Sequence, residues 1–120
     1  MYTVEYVELE NSKPFEEFME SLSIKDRAYL YEKILYFLEL KNNNLPIKES
    51  LSKHLEDKIF ELRASLKDNI ARVFYFYIQD QKIIITHGFI KKTQKTPPKE
   101  IEKAKSLRDE YNKRSNNDKL

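Results

Sequence analysis

Few residue types in this chain can do chemistry. It has no cysteine, so a thiolate nucleophile, a disulfide and a thiolate metal site are all excluded. Its two histidines, His54 and His87, stand far apart in sequence. No glycine-rich phosphate loop, no spaced metal-ligand set and no pair of acids at glycosidase-like positions is present. What remains is cationic. Arg63 and Arg72 flank the short segment "ASLKDNIA". Beyond them "HGFIKKTQKTPPKE", residues 87–100, carries Lys91, Lys92, Lys95 and Lys99 with no acid before Glu100, and contains Gly88, the only glycine. Arginine forks fit phosphate oxygens in pairs, and crowded lysines lower one another's pKa. One reaction can use such a set without metal or protein nucleophile: cleavage of RNA by its own 2′-hydroxyl. It needs the phosphate held in line, its growing charge stabilised and protons moved.

Plainer readings stand beside that one. Arg63 can pair with Glu61 or another acid, and Arg72 with Asp57 or Asp68. His54 and His87 can be structural hydrogen-bonders, Tyr75 and Tyr77 core residues, and the lysines a solubilising surface.

Charge is unevenly placed. Six glutamates against Lys13 give the first 22 residues −5; with +2 for the whole chain, the other 98 carry +7. Such asymmetry favours a polyanionic or acidic partner for the second part. At 120 residues the chain suits one domain, expected over residues 1–112 with 113–120 a flexible tail. No apolar run is long enough to span a membrane and no leader is visible, which predicts a soluble cytoplasmic protein.

The elements that must position these residues follow from periodicity. "YTVEYVEL" alternates as a strand. Ser12 as cap and Pro14 in the first turn open a short helix with Phe15, Phe18, Met19 and Leu22 on one face. Ser23 caps a second helix, with Ile24, Ala28, Tyr31, Ile34, Leu35 and Leu38 as its apolar face, stopped by "KNNNLP". "KESLSKHLED" reads as a connector with one helical turn. "KIFELRAS", "IARVFYFYI" and "KIIITHGFI" form a three-stranded meander. Alternation sets Arg63 opposite Phe60, Leu62 and Ala64 on its strand, and the short turn puts Arg63 and Arg72 on neighbouring strands. Thr96 caps, and Pro97 opens, a last helix with Ile101, Ala104, Arg108 and Tyr111 on a shared face. The fold class is therefore α+β, β-α-α-β-β-β-α: an antiparallel sheet covered on one face by the helical hairpin, its other face partly open.

The blocks "LSKHLEDKIFELRASLKDNIARVFYFY" and "IIITHGFIKKTQKTPPKEIEKAK" resemble the HigB-like branch of the RelE toxin superfamily, phage-derived relatives included. The resemblance spans about residues 2–112, and its implied fold is a curved antiparallel sheet with a helical hairpin on one side. It implies a toxin of a type II toxin–antitoxin system: a metal-independent, cofactor-free endoribonuclease of messenger RNA, acting on the ribosome. Its expected partner is a helix-turn-helix, HigA-like antitoxin, and through it operator DNA.

Carried over by position, Arg72 matches the arginine that holds the scissile phosphate and Arg63 a basic residue on the preceding strand. Lys92 and Lys95 fall beside the leaving group, Lys91 and Lys99 are backbone-contact candidates, and His87 is a candidate proton carrier. Gly88 would let the chain turn to place the lysines. Glu61 stands where some relatives have lysine. Pro97 and Pro98 occupy the stretch where some have a base-stacking tyrosine, the next being Tyr111. Two other functions remain open: a non-catalytic RNA- or ribosome-binding module, and a degenerate toxin kept as a co-repressor subunit.

Overall fold

The computed structural model describes residues 1–79, 81–91 and 95–118. The element order is β1 (Thr3–Tyr6), α1 (Pro14–Glu20), α2 (Ile24–Asn42), β2 (Ser52–Glu56), β3 (Ile59–Ser65), β4 (Ile70–Ile78), β5 (Lys82–Lys91) and α3 (Pro98–Asp118). One five-stranded sheet has the order β1-β5-β4-β3-β2. The predicted α+β class is present, with one strand more than expected. Residues Lys48–Leu51 do form a hydrogen-bonded turn, but the rest of that connector is β2, antiparallel to β3. Its hairpin turn, Asp57–Lys58, takes positive φ at both positions (48° and 63°), the conformation of a tight two-residue turn usually marked by glycine or asparagine. Lacking those residues, it left no trace in the sequence. His54 supports the turn by accepting from the Lys58 N–H at 3.2 Å.

The sheet is mixed at one edge: β1 runs parallel to β5, Tyr6 beside Ile85, while β2 to β5 form the antiparallel meander. Residue alternation then sorts two cores. Leu62, Ala64, Ala71, Val73, Tyr75, Ile83 and Ile85 pack against Phe15, Met19, Leu22, Leu30, Ile34 and Phe37 of the helical hairpin. On the opposite face Ile59, Phe74, Phe76 and Ile84 pack against Val7 and against Ala104 and Leu107 of α3. The face expected to be open is thus covered by the last helix. This is why β4 is apolar or aromatic apart from Arg72: a central strand covered on both sides has no solvent face to alternate with.

Several helical details differ from expectation. Lys13, not Ser12, is the N-cap of α1, and the Glu17 carboxylate caps it by accepting from the Lys13 N–H at 2.9 Å. The Ser23 cap of α2 is present, accepting from Asp26 N–H. However, α2 buries Leu30, Ile34 and Phe37, leaving Ile24 82% exposed and Leu35 and Tyr31 outward. Its sequence is apolar on more than one side, so of the expected stripe only Ile34 and Leu38 face the core. In α3, Leu107 takes the inward place given to Arg108, which instead reaches Asp57 at 3.0 Å on the β2–β3 turn. The helix runs to Asp118. Gly88 adopts no left-handed conformation. Its lack of a side chain serves packing, since a Cβ there would enter the ring of Phe18 on α1.

Candidate nucleic-acid site

The two arginines meet. Arg63 and Arg72 are direct Cα partners across β3 and β4, and Phe89 continues the row on β5. Alternation places both arginine side chains, with Glu61, on the face that α3 covers. Like charges opposite one another destabilise a ladder; here Glu61 lies between them. Its Oε1 accepts from Arg72 Nη1 at 2.9 Å and its Oε2 from Arg63 Nε at 2.8 Å. The Thr96 hydroxyl donates to the same Oε1, and Arg72 Nη1 lies 3.4 Å from Thr96 Oγ1. Thr96 therefore ties the segment before α3 to the sheet instead of capping the helix. The helix begins at Pro98, one residue later than expected, with Glu100 N–H bonded to the Pro97 carbonyl.

Burial divides the arginines. Arg72 and Glu61 are completely enclosed, whereas the Arg63 side chain keeps 21% of its surface. Burial by itself raises the Glu61 pKa. The hydrogen bonds from Thr96, Arg63 and Arg72 outweigh it and hold the carboxyl below its ordinary range. The cluster thus carries one net positive charge, presented through Arg63.

His87 lies on the same face, two positions before Phe89 on β5. It is buried, with its ring stacked on Phe74 at 4.8 Å. Nε2 faces a Glu100 oxygen at 3.1 Å and Nδ1 the Thr86 hydroxyl at 3.1 Å. Burial drives its pKa down, to about 4, against the opposing pull of Glu100 and with a smaller push from Lys103. The ring is neutral at pH 7 and joins β5 to the first turn of α3. In the neutral form Nε2–H donates to Glu100, and the one Thr86 hydroxyl hydrogen is shared between Nδ1 and the Phe74 carbonyl, 3.2 Å away. Sequence pattern gave Glu100 no role and Thr96 only that of a helix cap, because their partners are 13 and 35 residues away. Glu61 was legible as a same-face neighbour of Arg63 two residues on, though not as the acid that also holds Arg72.

The basic segment leaves the sheet at this end. Lys91 closes β5 opposite Ile70. Lys95 is exposed, and Lys99 is exposed on the first turn of α3. The Lys91 side chain and all of Lys92 lie outside the described residues. So Arg63, Arg72, Lys95 and Lys99 gather at one end of the sheet, while His87 lies beneath the helix. Among the described residues no group of three or more His, Cys, Asp or Glu stands close enough to hold a metal ion, and no helix is long and apolar enough to cross a membrane.

Among known protein families, the one described as phage derived protein Gp49-like (DUF891) matches residues 17–109. That span runs from within α1 to the middle of α3 and includes both arginines. No curated protein matches the chain.

Proposed function

The chain belongs to the phage-derived Gp49-like family, part of the RelE/toxin–antitoxin-like group, and from that premise we propose that it is a HigB-like toxin cleaving messenger RNA. In this reading the RNA 2′-hydroxyl attacks the adjacent phosphate, its proton passes to a base, and the 5′-oxygen of the next nucleotide leaves with a proton. The products are a 2′,3′-cyclic phosphate and a free 5′-hydroxyl.

The observation that carries the reading is the cross-strand Arg63–Arg72 pair, at the sheet end from which the lysine segment departs. Arg63, the partly exposed member, binds a non-bridging oxygen of the scissile phosphate and stabilises the charge that grows there. Arg72 is a positioning residue: enclosed, it fixes Glu61, and Glu61 orients the Arg63 guanidinium. Lys95 and Lys99, both exposed, attract the backbone on either side, with Lys91 and Lys92 as further contacts. His87 is assigned a structural role, because both ring nitrogens are engaged inside the protein. The partner is a helix-turn-helix antitoxin that covers the site, and the ribosome presents the message.

Full enclosure of Arg72, the residue that the family resemblance assigned to the phosphate, favours a second reading. In it the protein binds RNA or the ribosome without cutting, or persists as a co-repressor subunit. The test is induction without antitoxin, beside Arg63→Ala, with 5′ ends of messenger RNA mapped by primer extension. New ends from the unaltered chain alone support cleavage through Arg63. Growth arrest without new ends supports the binding reading, and absence of any effect supports the co-repressor.

A further inference from the structure

A second cationic surface lies outside the arginine cluster. The outward side of α2 and the segment leading into β2 enclose a groove of about 360 Å³. Its lining includes Tyr29, Lys33, Tyr36, Lys48 and Arg63, and no acidic residue. Tyr29 is 37% and Tyr36 49% exposed, a large aromatic area to leave in water. The Lys33 ammonium sits between them, 5.7 Å from each ring centroid. Among the described residues neither Lys33 nor Lys48 enters an ion pair. Beyond Tyr29 and Ser65 lies a second hollow of about 530 Å³, where Asp26 and Asp68 balance Lys25 and Lys67, so the cationic surface ends at the groove.

We propose that this groove binds single-stranded RNA, with Tyr29 and Tyr36 each stacking on a base and Lys33 and Lys48 meeting the phosphates between. Faces of exposed aromatic rings combined with unpaired cations are the two components of sequence-tolerant single-strand recognition. The rings are seven residues apart on the helix, a rise of about 10 Å, well beyond the ~3.4 Å spacing of stacked bases. They therefore take two separate bases of an extended strand. Lys33 leaves the ring faces for a phosphate when bases arrive. An acidic peptide is the rival occupant, since it would satisfy the lysines; it would leave the ring faces without planar partners.

The groove shares Arg63 with the candidate cleavage site and so gives the strand a continuous path away from it. The proposal rests on the endonuclease reading only for that shared residue and direction. It is tested with a 2′-O-methyl oligoribonucleotide, which cannot be cleaved, so binding is read whether or not the protein is a nuclease. Fluorescence anisotropy should show affinity falling about tenfold or more in Tyr29→Ala/Tyr36→Ala and being kept in Tyr29→Phe/Tyr36→Phe, which retains the rings. Lys33→Ala should lower the magnitude of the log-affinity against log-salt slope by about 0.7. Both tyrosine pairs are checked by denaturation midpoint, and a variant that no longer folds is replaced by the corresponding single substitutions. Unchanged affinity in the folded alanine variant overturns the proposal, as does equal loss in the phenylalanine variant. Polyglutamate of matched charge that binds as tightly as the RNA, and with the same dependence on the rings, would assign the groove to a protein partner and also overturn it.

Discussion

Arg63 and Arg72 face each other across two strands, and a single enclosed carboxylate, Glu61, holds both. That geometry separates two roles which a basic sequence pattern merges. One guanidinium reaches solvent and the other is fixed inside, so substitutions at the two positions should fail in different ways.

Arg63→Ala should abolish most RNA cleavage while sparing the fold. The side chain is partly exposed, and Glu61 keeps Arg72 and Thr96 after its loss. Removal of one preorganised charge donor from a developing oxyanion costs about 10²–10³ in rate. Single-turnover cleavage and a denaturation midpoint, measured on the same preparation, check this. A midpoint drop comparable to that of Arg72→Ala would mean that Arg63 is structural too.

Arg72→Ala should instead unfold more readily. It leaves Glu61 buried with fewer donors, and removal of one partner from an enclosed ion pair costs about 3–5 kcal/mol. The expected result is a clear fall in urea midpoint before any question of activity arises. Loss of toxicity in this variant would therefore not by itself show contact with RNA. Arg72→Ala with unchanged stability would remove the positioning role.

The legibility of these residues follows the reach of the forces involved. Strand alternation and a short turn are local, and they were enough to bring Arg63 beside Arg72; start signals and helical spacing, equally local, marked the two helices of the hairpin. Burial was harder to read, because the cover over Arg72 and His87 comes from α3, beyond the end of β5. Thr96 illustrates the limit. A threonine before two prolines has the local signature of a helix cap, yet its hydroxyl is taken by a carboxylate 35 residues away. The β2 hairpin was missed because its turn uses Asp57 and Lys58 in a conformation that those residues seldom advertise. For α2, apolar side chains on several sides gave periodicity no unique answer.

Stability should fall with acid in two steps. His87 is buried neutral, its pKa lowered from 6.5 to about 4 by burial, with Glu100 and Lys103 as its charged neighbours. The unfolded chain therefore binds a proton that the folded one refuses between those values. Stability is complete above pH 6.5 and declines as pH falls to about 4, by roughly 3 kcal/mol. Glu61, with a depressed pKa, adds a further loss that begins only below its unfolded value of 4.5. Urea midpoints across pH 7 to 4 check the first step, which His87→Gln should flatten. An unchanged slope in that variant would assign the titration to another group.

Gly88→Ala gives the sharpest packing test. The added methyl would enter the Phe18 ring, which lies on the hairpin side of β5, and overfilling a packed contact costs about 1–3 kcal/mol. Trimming the ring should relieve the clash, so Phe18→Ala combined with Gly88→Ala should be more stable than the sum of the separate losses predicts. Coupling of about 0.5 kcal/mol or more in the double-mutant cycle would confirm direct contact. Strict additivity would instead mean that Phe18 is not what excludes a side chain at position 88.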